Sequence, residues 1–287
     1  KGGVGKTTTC VNLAAAFARS GRRTLIVDLD GQASASLALG LKRADLKVSS
    51  AQVLFGEVDV ADAIKQTRVP NMDLVPGSMD LASADLRLGR LPDRVTRLRT
   101  ALAAAREEYD LILLDCPPSA SLLTINAVMA GDTLIIPVVP SYLSIEGLIS
   151  FGEMLRHIHS GVGRMAPVLG IAITRADVEK REVRLAAEVI RQRYGARVFQ
   201  TVIHPDAKLE TAPLQGKTVY CLAGTLRPET MCGQTNCWIL PDGEYGVFEL
   251  DEHTYYILAA RAARNMAFQD IFPTWGKMPK QLLTVKG

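Results

Sequence analysis

The chain has 287 residues, of which 48% are hydrophobic, and a formal net charge of +3. That length supports one large α/β domain with a real core, and the near-neutral balance excludes whole-chain attraction to nucleic acid, leaving room only for a local basic patch. The longest apolar runs fall far short of the ~20 residues a membrane span requires, no signal peptide is visible, and five cysteines without framework spacing favour a reducing compartment over a disulfide scaffold.

The chain opens on KGGVGKTTT. The spacing is that of a phosphate loop, G-x-x-x-x-G-K-[ST], with Lys1 and Gly2 opening it and no strand ahead of it. Such a loop hangs between a buried strand and a helix, so residue 1 reads as a cut, and the strand ahead of it is expected centrally in the sheet, its neighbours left with unpaired backbone groups. Gly2, Gly3, Val4 and Gly5 bring backbone close to phosphate, Lys6 is placed to neutralise β/γ oxygens, Thr7 offers a hydroxyl to Mg²⁺, and Thr8 follows on the loop.

Five near-continuous Val/Ile/Leu runs follow: 23–30, 109–116, 133–140, 167–174 and 197–204. Runs of this kind, separated by helical patterns, predict a doubly wound, mostly parallel α/β sheet of the P-loop NTPase class with its first strand missing. Ligands in such sheets sit at the carboxyl ends of strands. Asp28, Asp30, Asp115 and Thr174 collect there, and Asp115 supplies the carboxylate that a metal-nucleotide site needs beside its loop. Asp30 is the candidate for positioning or deprotonating the attacking water; capping the segment that begins QASASL is its alternative role, and both can hold. Cys10 and Cys116, beside these elements, read as small core residues.

KGGVGKTTT, LIVDLDGQASAS, LILLDCPPSASLLTINAV, VVPSYLSIEGL and HPDAKLETAPLQGKTV, in this order, resemble the ParA/Soj family of partition ATPases, within the larger group that includes MinD. The resemblance runs from residue 1 to about Tyr220. It implies ATP and Mg²⁺ as cofactors, a homodimer that sandwiches nucleotide, and Lys1 as a trans cation reaching the partner's nucleotide. It further implies catalytic roles for Lys1, Lys6 and Asp30, a metal shell involving Thr7, Asp30 and Asp115, and nucleotide contacts from Thr174, Pro205 and Asp206. Non-specific DNA and a ParB-like protein are the implied partners, with no membrane, and the implied location is cytoplasmic and nucleoid-associated. A MinD-like membrane cycle is the alternative, opposed by glutamine in DLDGQ and by the lack of a basic amphipathic helix closing the ATPase part. Where the family usually reads D-x-D-P-Q, this chain has Gly31, which leaves the first switch more backbone freedom. A further alternative is a nucleotide-gated binding module with little hydrolysis.

Residues 174–217 hold nine Lys/Arg against six Asp/Glu. Arg175, Lys180, Arg181, Arg184, Lys208 and Lys217 are the DNA-contact candidates, a solvated helix face being the other reading.

Composition changes near Tyr220. Residues 1–220 hold eight aromatics and no tryptophan, whereas 221–287 hold eight aromatics, both tryptophans and three of the five cysteines. TLRPETMCGQTNCWILPDGEYGVFEL resembles a piece of the editing domain of cytosolic-type leucyl-tRNA synthetases, carried by Thr225, Arg227, Glu229 and Thr230. Residues 1–220 thus read as the ATPase domain and 221–287 as an unrelated α+β fragment, joined in a chimeric frame or a genuine fusion. Cys221, Cys232 and Cys237 lack a tight pair and are weak evidence for zinc. LPDGEYGVFEL predicts a hairpin with a D-G turn, and TYYILAARAARNMAFQ a strand turning helical.

Overall fold

The computed structural model describes residues 2–162 and 165–206, and beyond them the backbone of strands at 218–220, 244–251, 254–259 and 281–286. Lys1, Lys208, Lys217, the three tail cysteines, the D-G turn, the synthetase-like Thr225–Thr230 and the predicted helix after residue 260 lie outside the described residues.

Two compact units divide between Pro205 and Asp206. In the first, the helices in chain order are α1 (Lys6–Arg19), α2 (Ser34–Ala38), α3 (Ser50–Phe55), α4 (Val60–Ala63), α5 (Ala84–Leu88), α6 (Arg97–Ala101), α7 (Ala103–Glu108), α8 (Leu122–Ala130), α9 (Tyr142–Val162) and α10 (Arg181–Tyr194). Its strands are β1 (Thr24–Asp28), β2 (Lys65–Gln66), β3 (Met72–Val75), β4 (Leu111–Asp115), β5 (Leu134–Val138), β6 (Val168–Thr174) and β7 (Val198–Ile203). All five predicted apolar runs are strands. The predictions lacked β2 and β3.

The strands form two sheets, ordered β2-β3-β1-β4 and β5-β6-β7, parallel throughout except for the β2–β3 pair. Asp28 of β1 lies in register with Asp115 of β4, so two carboxylates end adjacent strands at the same level. Every residue of β1 is buried, whereas β4 is only half-buried until Asp115, and β5 is partly exposed until Val138. Among the described residues, β4 and β5 each end a sheet and keep one edge without a strand partner.

One core gathers Leu25, Val27, Leu29 and Val75 with apolar side chains of α3 to α8, including Leu54, Leu88, Leu98 and Leu123. A second joins Val138, Ile171 and Ile173 to Leu148 of α9 and Ile190 of α10. Burial of this kind is worth ~25 cal/mol per Å² of apolar surface and holds the carboxyl ends of the strands in place.

In the second unit, β8 (Thr218–Tyr220), β9 (Glu244–Asp251), β10 (Thr254–Ala259) and β11 (Gln281–Lys286) form a sheet of order β11-β9-β10-β8. Among the described residues, β9 pairs antiparallel with the downstream β10 and with β11. TYYILA is a strand, as its aromatic and β-branched residues predict.

Candidate nucleotide site

The loop that precedes α1 turns on two glycines in the left-handed region, Gly3 at φ 72° and Gly5 at φ 79°. Gly5 is also the N-cap of α1 and makes no side-chain cap bond, so glycine is chosen here for backbone conformation. The first turn of α1 carries no acidic residue, which leaves its free amides and partial positive charge open to an anion.

Behind the loop stands Asp115. It is 1% exposed, and neither carboxylate oxygen has a hydrogen-bond partner of ordinary geometry among the described residues. Burial pushes its pKa up to about 7; the nearby Thr7 hydroxyl and Lys6 ammonium pull it down, and Asp28 and Asp30 add upward pressure. A buried carboxylate without a partner costs several kcal/mol if it stays charged. Its position thus fits a cation that is held there with the nucleotide.

The neighbouring Asp28 is fully buried but well satisfied. Its Oδ1 accepts from the Asp30 amide at 3.1 Å, and its Oδ2 accepts from the Ser36 amide at 2.9 Å and the Ser36 hydroxyl at 2.7 Å. Burial raises its pKa, these hydrogen bonds lower it, and the Asp30 charge raises it again. The Ser50 hydroxyl donates to the Asp28 carbonyl at 2.6 Å, and the Gly77 amide donates to Ser36 Oγ at 3.0 Å. Asp28 is therefore the hub that holds the turn running from Asp30 to Ser36, a role the sequence reading did not assign. Its signal was there: a carboxylate directly after the apolar run Leu25–Val27 on a fully buried strand.

Asp30 is half-buried. Its Oδ1 accepts from the Gln32 amide at 3.0 Å and its carbonyl from the Ala33 amide at 2.8 Å, closing a turn. The alternative role as a helix cap is corrected here, because the N-cap of α2 is Ala33, at φ 55° and without a side-chain cap bond. Gly31 has no left-handed φ, and a Cβ there would meet nothing closer than the Ala82 amide at 3.7 Å. Gly77, by contrast, has no room: a Cβ would stand 2.7 Å from the Asp30 carbonyl.

Thr174 and Arg175 lie against the phosphate loop from the end of β6. Thr174 Oγ1 donates to the Val4 carbonyl at 2.8 Å, and Arg175 Nη1 donates to the Gly3 carbonyl at 3.1 Å. Arg175 thus engages the loop while its side chain remains exposed. Pro205 and Asp206 follow β7, Pro205 exposed and Asp206 half-buried. Burial raises the pKa of Cys10 and lifts that of Cys116 to about 12, so both are unreactive thiols. No group of three or more His, Cys, Asp or Glu side chains that could hold a metal by themselves occurs among the described residues.

Lys180, Arg181 and Arg184 stand at the start of α10 and are exposed. Lys180 pairs with Asp177 at 3.3 Å, and Arg184 donates to the Val178 and Glu179 carbonyls at 3.0 and 3.2 Å. These contacts order the turn ahead of the helix.

A glycine-turned loop whose amides gather anions ahead of α1, with the buried Asp28 and Asp115 level with one another on the strands behind it, makes this a P-loop ATPase. A family model described as an AAA domain matches residues 1–165. The sporulation initiation inhibitor protein Soj of Bacillus subtilis is 38% identical over 219 residues, covering 76% of this chain and 87% of its own. The chromosome partitioning protein ParA of Caulobacter vibrioides is 35% identical over 221 residues, covering 76% and 83%. The crystal structure of cobyrinic acid a,c-diamide synthase from Mycobacterium smegmatis, with bound ADP and magnesium, superimposes with a TM-score of 0.68 at 33% identity, covering 72% of this chain and 84% of that one. The chain belongs to the ParA/Soj family of partition ATPases. Nothing in these comparisons supports a synthetase segment in residues 221–287.

Proposed function

We propose that this partition ATPase works as an ATP-gated dimer that binds DNA without sequence preference and is released by a ParB-like partner at the nucleoid. The observation that supports this reading is the buried Asp115 carboxylate behind the loop and level with Asp28, an acidic side chain placed to face a cation held with a nucleotide.

In this reading the amides of the phosphate loop and the Lys6 ammonium hold the β/γ phosphates, and the Thr7 hydroxyl and Asp115 face the metal side. Mg²⁺, when bound, neutralises charge on the phosphates and orients them for in-line attack. Asp30 accepts a proton from, or orients, the attacking water, and its distance from the phosphates is governed by the turn that Asp28 holds. Lys1 supplies a trans cation to the partner's nucleotide, so binding of ATP and dimerisation are linked by mass action. Pro205 and Asp206 border the nucleoside. Arg181, Arg184 and Lys180, with Lys208 and Lys217, are proposed to neutralise DNA phosphates. Among the described residues no helix is long and apolar enough to cross a membrane.

Phosphate release at saturating ATP, with and without DNA, tests the switch. Lys6→Ala abolishes productive nucleotide binding, and Lys1→Ala weakens dimerisation more than it weakens nucleotide binding by the monomer. Turnover in Lys6→Ala equal to that of the unmodified chain overturns the assignment.

We also propose that the composition change near Tyr220 marks a change of origin within the chain, with an α+β segment after it, although the compact units divide earlier, between Pro205 and Asp206, and β8 pairs with β10 of the second unit. Amplification across the Tyr220–Thr225 junction from genomic DNA and transcript tests whether the two parts are one gene. A product from neither template removes the last 67 residues from the functional account.

A further inference from the structure

Two successive residues at the end of β6 hold two successive carbonyls of the phosphate loop: Thr174 holds Val4 and Arg175 holds Gly3. A trans peptide is planar, so the carbonyl of one residue and the amide N–H of the next point in opposite directions. Fixing the Gly3 carbonyl therefore aims the Val4 N–H, and fixing the Val4 carbonyl aims the Gly5 N–H. Those two amides belong to the anion-binding concavity. Gly3 and Gly5 sit at φ 72° and 79° and have little intrinsic reason to stay there, so a loop built on them requires an outside constraint.

The clamp is itself held rigidly. Arg175 is at φ 50°, a left-handed conformation that costs a non-glycine residue about 1–2 kcal/mol. The next residue keeps it there, since the Ala176 amide donates to the Ile203 carbonyl at 3.1 Å and the Ala176 carbonyl lies 2.9 Å from His204 Nδ1. Thr174 is 1% exposed. Strain that the surroundings hold in place is what a positioning element shows.

We propose that Arg175, together with Thr174, is a positioning residue for nucleotide binding, fixing the direction of the Val4 and Gly5 amides toward the phosphates. Thr174 then acts through the loop rather than on the nucleotide. Arg175 serves the loop rather than DNA.

The test uses the full chain with Arg175→Met, which removes the donor, and Arg175→Lys, which keeps one on a long stem. Arg175→Gly removes both the donor and the backbone strain, so it keeps the test open if Arg175→Met fails to fold. Equilibrium titration with ADP and with a non-hydrolysable ATP analogue, steady-state hydrolysis, nucleotide-free melting and DNA binding at two salt concentrations are the readouts. Arg175→Met and Arg175→Gly raise the nucleotide Kd and the KM about 5–20-fold, with kcat changed less than about threefold. The nucleotide-free Tm of Arg175→Met stays within about 2 °C, and Arg175→Lys recovers a large part of the affinity. An unchanged Kd and KM in either donor-free variant overturns the proposal. So does a defect confined to DNA affinity with a salt slope reduced by about one, which would make Arg175 a phosphate contact on DNA.

Discussion

Asp115 is where folding and function pull in opposite directions. Its pKa stands near 7 in the folded chain, against about 3.9 in an unfolded one. Between these values the folded state binds more protons than the unfolded state, so its contribution to stability falls as pH rises from about 4 to 7 and levels off above that. Asp115→Asn removes the titrating group and keeps the shape. It is expected to raise the stability of the nucleotide-free protein by roughly 2–3 kcal/mol at pH 8, to have little effect at pH 4.5, and to depress hydrolysis severely. Urea denaturation at the two pH values checks it; equal effects at both would mean that the carboxylate is not strained by burial. The same scale decides Gly77. A Cβ 2.7 Å from the Asp30 carbonyl meets backbone, which cannot swing aside. Gly77→Ala is expected to cost about 1–3 kcal/mol and to slow hydrolysis by displacing Asp30, as denaturation midpoints and turnover of the same preparation would show.

At the scale of elements, residues 28–33 form a turn closed by its own hydrogen bonds. The Asp30, Gln32 and Ala33 amides are taken by Asp28 Oδ1, Asp30 Oδ1 and the Asp30 carbonyl, none of which depends on the side chain at position 31. Glycine at 31 therefore serves no conformational need, and the extra freedom expected of it belongs mainly to the unfolded chain. Gly31→Ala is expected to stabilise by about 0.4–1 kcal/mol with turnover unchanged within about twofold. A loss of stability in the denaturation midpoint would mean that the turn needs glycine after all.

Elements also show what the sequence made legible. The five long strands were readable because strands buried between helices must be apolar almost throughout, a pattern that survives without knowledge of neighbours. β2 and β3 were not. β2 is a two-residue strand, Lys65–Gln66, and β3 is four residues between Asn71, at φ 63°, and Pro76, too short for either period to register. The phosphate loop, Asp115 and Asp30 were legible from type and position. The hub role of Asp28 and the hold of Arg175 on Gly3 were not, because each depends on partners 8 to 172 residues away that no local pattern brings together.

At the scale of the molecule, the proposed switch converts an occupied site into a second set of DNA contacts. A single copy presents few exposed cations at the start of α10, and some of these already serve internal contacts. A monomer that neutralises about two phosphates would show a slope of log affinity on log salt near −1.8, and a dimer engaging about four would show one near −3.6. Over a fourfold change in salt these slopes correspond to roughly 12-fold and 150-fold losses of affinity. Asp30→Ala isolates the two states, because it is expected to form ATP-dependent dimers while halting turnover. DNA binding by this variant, titrated at 50 and 200 mM salt with ATP and again with ADP, should show the steep dependence only with ATP. Equal slopes with both nucleotides, or a steep slope without dimers in sedimentation, would separate DNA binding from the nucleotide and leave the basic start of α10 as a solvated helix face.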